Sequence, residues 1–412
     1  MVRASRLWRR DLLLCLWTNS LLILSPTLLI LSPSIGAGSE ISEEELRDRI
    51  FGGWVGMLIG GLEGLAHEFK YREKPREDLP DFTFLAQGAR SDDDNDIEWI
   101  HLWFMWHEDT LKLDYSRIVP IWKLNMNHGV WVANRKARQL MDEGLVPPDT
   151  GHWQSNPYAW YNLSAQFATE AYGLISPGMP QLAAELGLHY ARIAVSGEPL
   201  QAAQFWPALV SQAFFQTGSP EDALREALHA VDPTSALAAA VRDAIQAFHD
   251  HPDDWKTARQ SIHVKWYDRY RWNDNSTPLN GAVICLALLY GNGDFYRTLQ
   301  YAMALGYDAD CNAATAGATV GARTGFKKIS GMPQFRMPDV YVNHTRPQLP
   351  QECPVSMQVR VLTALAEKAI LSQGGQQISI GGNRGYRIAR QEIQNLEPLP
   401  PDAPKPRPKG GD

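Results

Sequence analysis

Apolar residues recur three and four positions apart along most of this chain, the spacing that gathers them on one face of an α-helix. On that period, helices are predicted at Glu43–Gly64, Ile97–His107, Ala133–Glu143, Ser164–Tyr172, Met179–Ala194, Ala202–Phe215, Pro220–Ala230, Ser235–His249, Leu279–Tyr290, Asp294–Leu305, Ala313–Thr324 and Ser356–Leu371. Clusters such as Ser176-Pro177-Gly178 and Gly291-Asn292-Gly293 separate them. Strands do not alternate with helices, so the expected fold class is all-α: a single-domain helical bundle over residues 42–392. One exception is Gln377–Ile388, where Ile378, Ile380 and the pair Gly381-Gly382 predict a small terminal hairpin. Beyond it, residues 393–412 are rich in Pro and Lys and are expected to form a disordered tail.

The start of the chain has a different pattern. Arg3, Arg6, Arg9 and Arg10 precede a Leu/Ile-rich run from Leu12 to Leu31 and a small-residue stretch, Ser34 to Ser39. This is the layout of an export signal, assigned here to residues 1–38, which makes the mature protein secreted or periplasmic. A retained anchor is the alternative, because the apolar run is long, but Pro26 and Pro33 weigh against it.

Composition narrows the partners. The 412 residues are 44% hydrophobic and 21% charged, with a formal net charge of −7. That balance provides a large core and favours neither nucleic acid nor, once the signal is removed, a membrane surface. Outside the signal only Cys285, Cys311 and Cys353 remain, too few for a disulfide framework.

Two local patterns stand out. Gly52, Gly56, Gly60 and Gly64 fall four apart, and Gly317, Gly321 and Gly325 repeat the spacing, which puts bare backbone on one face of each helix and invites close approach. Near these stretches lie two acidic clusters, Asp92-Asp93-Asp94 and Asp308-Ala309-Asp310-Cys311-Asn312. Taken singly, each could be a solvated helix start or an N-cap. The residues after the first, Ile97 to Trp106, leave little polar face and predict that this helix start is buried. Carboxylates gathered inside a protein repel unless they are solvated, protonated or hold cations, and their hard oxygens suit Mg²⁺, Mn²⁺ or Ca²⁺. A third feature, His152 to Asn162 with Gln166 beyond it, is dense in aromatics and amides. Trp153, Asn156, Tyr158 and Gln166 are its candidates for stacking on and bonding a sugar or base, although core packing is the commoner fate of Trp and Tyr.

The segment Gly306-Tyr307-Asp308-Ala309-Asp310-Cys311-Asn312-Ala313-Ala314, continued by Gly317-Ala318 and Gly321-Ala322, resembles the C-terminal signature of the ADP-ribosylglycohydrolases. Asp92-Asp93-Asp94-Asn95 stands where that family carries Thr-Asp-Asp-Thr, and the resemblance extends over about residues 45–372. It implies an all-helical fold around two divalent cations, most often Mg²⁺, with Asp92, Asp93, Asp94, Asp308, Asp310 and Cys311 as their ligands. It also implies hydrolysis of a ribosyl-type glycosidic bond, in a small molecule or on a protein, by a monomer. On such a site Asp93 or Asp94 would deprotonate the water while holding a metal, with Glu68 assisting proton transfer. Glu68, eight residues after Gly60, matches a glutamate that gates the substrate site and joins the acid–base step in some members.

There are departures. Asp92 and Cys311 replace hydroxyl residues, and Gly61 replaces an aspartate. A frame with Ser91 as the first ligand is open, and so is a Cys311 that lines the site without binding, since a thiol is soft. These changes leave room for another extracellular glycoside or nucleoside derivative as substrate, or for a protein that binds sugar without cleaving it.

Overall fold

The computed structural model of the protein describes residues 38–268 and 274–405; the signal assigned to residues 1–38 thus lies, but for its last residue, outside the described residues. In chain order the helices are α1 (Glu43–Gly64), α2 (Asp93–His107), α3 (Tyr115–Asn125), α4 (Val132–Asp142), α5 (Ser164–Phe167), α6 (Glu170–Leu174), α7 (Pro180–Ala191), α8 (Pro199–Ala213), α9 (Pro220–Ala227), α10 (Ala236–Asp250), α11 (Trp255–Ile262), α12 (Thr277–Gly291), α13 (Phe295–Leu305), α14 (Ala309–Thr324), α15 (Phe326–Ser330) and α16 (Val355–Ser372). Short strands β1 (Ser39–Ser42), β2 (Ala89–Arg90), β3 (Tyr341–Val342), β4 (Glu352–Cys353), β5 (Gln376–Ile380) and β6 (Asn383–Ile388) complete it. The fold is all-α, and among the described residues no helix is long and apolar enough to cross a membrane.

At the centre, α1 lies along α14. Ser42 caps α1 by accepting from the Glu45 N–H at 3.1 Å, and Glu43, Glu44 and Glu45 complement the dipole of its first turn. Farther along, nearly every residue from Gly52 to Gly64 is buried. The glycine faces explain how. A β-carbon on Gly56 would overlap the Gly317 carbonyl, one on Gly60 the Ala313 carbonyl, and one on Gly64 would sit 2.5 Å from the Asp310 Cα. The two backbones therefore touch where side chains would normally hold helices about 8–10 Å apart. This contact sets the second acidic cluster against the end of α1.

The first cluster is held by a separate device. Strand β2 pairs in parallel with β3, which pairs antiparallel with β4, and the Ser91 N–H then donates to the Val342 carbonyl at 2.8 Å. One turn into α2, buried Asp96 bonds the fully buried Arg346 at 2.5 Å and also accepts from Thr345. The Arg346 Nη1 and Nη2 groups also donate to the Asn125, His128 and Gly129 carbonyls, while its Nε–H has no partner. A buried ion pair of this kind fixes orientation more than it adds net stability.

The expected terminal hairpin forms as β5 and β6, and β1 adds to it, pairing with β6 from Ser39↔Ile388 to Ser42↔Gly385 to give a three-stranded sheet; one other expectation is corrected. The stretch expected to be a disordered tail is packed as far as it is described: Glu397 pairs with Arg192 at 2.6 Å, the Leu396 N–H donates to Gln204, and Ala403 is buried. Polar partners on α7 and α8 supply the ordering energy that Pro and Lys could not supply alone.

Candidate active site

The starts of α2 and α14 meet. Asp92, Asp93, Asp308, Asp310, Cys311 and Glu68 all line one cavity of about 570 Å³, and Asp94 lies buried behind it. Ligand atoms of Asp94, Asp310 and Cys311 lie within 4.8 Å of one another, and so do those of Glu68, Asp308 and Asp310. Asp310 belongs to both groups. Ser91 is turned away, its hydroxyl accepting from the His344 N–H at 2.8 Å, so the cavity wall carries Asp92.

Local strain brings Glu68 to this centre. Just before Asp308 the chain passes through Gly306 at φ 86° and Tyr307 at φ 64°, while Phe69, next to Glu68, has φ 52°. Left-handed tyrosine and phenylalanine are costly, at about 1–3 kcal/mol each, and persist only where surroundings enforce them. Here the Phe69 N–H donates to the Tyr307 carbonyl at 2.7 Å, joining the two strained segments. Buried Arg259 braces them: its guanidinium stacks 4.3 Å over the Tyr307 ring and donates to the Leu305, Tyr71, Arg72 and Glu73 carbonyls.

Amides set the carboxylates on the α14 side. Asn275 donates to Asp308 at 2.9 Å and accepts from Asn162, which in turn accepts from the Ser164 N–H. Beneath, Gln166 donates to Asn312 at 3.3 Å, and Asn312 donates to Asn280 at 2.9 Å. Gln166 therefore positions the start of α14 instead of lining the cavity. Asn156, Trp153 and Tyr158, expected to bind substrate, are corrected. Asn156 is consumed by the Ala133, Thr150 and Ala194 carbonyls, Trp153 packs on His152 with ring centroids 4.3 Å apart, and Tyr158 is exposed away from the cavity wall. Of that aromatic stretch only Asn162 reaches the cavity, joined there by Ser164, Phe167, Asp274 and Asn275.

The electrostatics suit cations. Apart from the neighbouring Cys311 thiol, neither oxygen of Asp94 has a hydrogen-bond partner, and Asp92 Oδ2 and Asp310 Oδ1 have none. Burial, then the neighbouring carboxylates, push Asp93, Asp94 and Asp310 well above the usual aspartate range. Glu68 is raised by burial and then by Asp308 and Asp92, with Arg72 opposing. Buried acceptors without donors, gathered from two chain segments, fit divalent cations with oxygen ligands.

Stability should respond to pH accordingly. Glu170 and Glu198, both buried, are pushed up to about 7, and Glu98 is raised by burial and by Glu170. Each is an acid whose folded pKa exceeds its unfolded value, so the folded state binds more protons and stability is lost as pH rises through the folded values. Metal-free protein is therefore expected to melt at a lower temperature near pH 8 than near pH 5. Melting curves in chelator check this, and a melting temperature that climbs over the same interval would contradict it.

A solved structure described as an ADP-ribosylglycohydrolase-related protein complex shares this fold, with a TM-score of 0.52 and 15% identity over 79% of this chain and 99% of that one. No curated protein matches the sequence. The family model for ADP-ribosylglycohydrolase matches residues 42–369, and the chain belongs to that family. It is an enzyme of the hydrolase type, from a metal-dependent family, and its acidic clusters could hold a metal ion.

Proposed function

We propose that the protein hydrolyses a ribosyl-type glycosidic bond, ADP-ribosyl or closely related, in the cavity between the starts of α2 and α14. The observation that carries this reading is the convergence of Glu68, Asp308, Asp310, Asp94 and Cys311 into two adjoining ligand groups that share Asp310. Two divalent cations, Mg²⁺ first among them, would be held there and would supply Lewis acidity toward ribose hydroxyls and a water.

The chain's own residues do the rest. Asp92 and Asp93 present carboxylates to the cavity, where they oppose the positive charge that develops on a ribose ring as the bond breaks. Glu68, with its pKa raised, can give a proton to the leaving group and take one from water. Arg72, paired with Asp274, and Arg135, stacked over the exposed Trp131 ring, line the same cavity and supply positive charge that suits phosphate oxygens. The basic and apolar start of the chain supports export, so the glycoside would be met outside the cytoplasm.

A panel of ADP-ribosyl, nucleoside and furanoside substrates, run with Mg²⁺ or Mn²⁺ and with chelator, tests this. Release of ribose or ADP-ribose only with metal is the expected result. Cleavage of a furanoside alone moves the substrate class, and measurable binding with no product at high enzyme concentration makes the protein a sugar-binding module.

A further inference from the structure

The two ligand groups differ in chemical hardness. Glu68, Asp308 and Asp310 offer only carboxylate oxygen, whereas Asp94, Asp310 and Cys311 include a thiol sulfur. Cys311 is buried and lines the cavity, and it makes no disulfide. A cysteine alone would mean little. Beside it, though, Asp94 is 1% exposed and its oxygens face no partner but that thiol, and Asp310 Oδ1 is unpartnered. Gly61 lies against this corner: a β-carbon there would meet Asp94 Oδ2 at 3.6 Å, an ordinary van der Waals contact.

We propose that the centre is chemically unequal, with Asp94, Asp310 and Cys311 forming a mixed carboxylate and thiolate site for a thiophilic divalent cation such as Co²⁺, Zn²⁺ or Cd²⁺, beside an all-oxygen site for Mg²⁺. The inference rests on the reading of this cluster as a metal centre. Sulfur favours softer cations and disfavours Mg²⁺, which keeps oxygen ligands and water. On binding, the S–H proton leaves to solvent and the sulfur lone pair goes to the cation, with no change in oxidation state. Asp310, common to both groups, would couple the two ions.

The full chain, titrated with Co²⁺ alone under reducing conditions, tests this without any turnover. The expected result is a thiolate-to-cobalt charge-transfer band that saturates at one equivalent and is absent from Cys311→Ser. In competition with Mg²⁺, that variant should lose at least about tenfold in Cd²⁺ affinity. Cd²⁺ should also protect Cys311, but not Cys285 or Cys353, from alkylation in the unsubstituted protein. Circular dichroism confirms that Cys311→Ser is folded, and Cys311→Ala serves if it is not. Binding heat for Co²⁺ with no band and no protection overturns the mixed site while the metal centre stands. No uptake of Co²⁺, Mg²⁺ or Mn²⁺ overturns both.

Discussion

Asp310→Asn is expected to lower turnover by roughly a thousandfold or more, the scale seen when one member of a catalytic unit that acts as a whole is removed. Asp310 is the residue shared by both ligand groups, and one of its oxygens has no protein partner. An amide keeps the shape but offers one neutral oxygen and an N–H pair that repels a cation. The carboxylate's burial cost disappears at the same time, so the metal-free variant should melt at or above the unsubstituted protein while gaining nothing from added Mn²⁺. Steady-state kinetics and melting curves with and without Mn²⁺ check both halves. Near-normal turnover would remove Asp310 from the chemistry.

Gly60→Ala should be the most damaging single methyl in the protein, at about 3 kcal/mol or more. Alanine ordinarily stabilises a helix interior over glycine by about 0.5–1 kcal/mol, so the expected sign is reversed. The reason is geometric. The new methyl would overlap the Ala313 carbonyl, a backbone atom in the second turn of α14 that cannot move without displacing Asp310 and Cys311. Separation of α1 from α14 should weaken metal binding along with stability. Denaturant unfolding and a metal titration of the same variant measure the two effects, and a variant as stable as the parent would mean that the helices have room.

The periodic parts of the sequence carry most of this fold. Helix α1 runs from Glu43 to Gly64 as its apolar spacing predicts, and the four-residue glycine spacing is seated on α14. Three helices escape that reading for particular reasons. Helix α3 contains Pro120, which reads as a breaker; α11 turns Arg259 inward where an apolar residue would have signalled burial; and α15 has only five residues. Helix α2 starts four residues before Ile97, because its first turn is the acidic cluster itself, polar yet buried.

Legibility at the site divides along the same line. Asp92, Asp93, Asp94, Asp308 and Asp310 are visible as local clusters, and their distance in sequence is no obstacle once their type is read. Asn275, Asp274 and Arg72 are single polar residues without a pattern, brought in by the turn before α12 and by the loop that Arg259 clamps. The aromatic run from His152 to Asn162 misleads because its amides serve backbone carbonyls, as Asn156 shows. A Trp at position 153 gives no hint of direction; only the fold supplies it.

Crystals of the protein soaked in Mn²⁺, with diffraction collected at the manganese edge, test the central claim most directly. An anomalous peak is expected among Glu68, Asp308 and Asp310, and a second among Asp94, Asp310 and Cys311 when Co²⁺ replaces Mn²⁺ and data are collected at the cobalt edge, both lost in Asp310→Asn. A map with no peak between the starts of α2 and α14, at Mn²⁺ concentrations that support turnover, would contradict it.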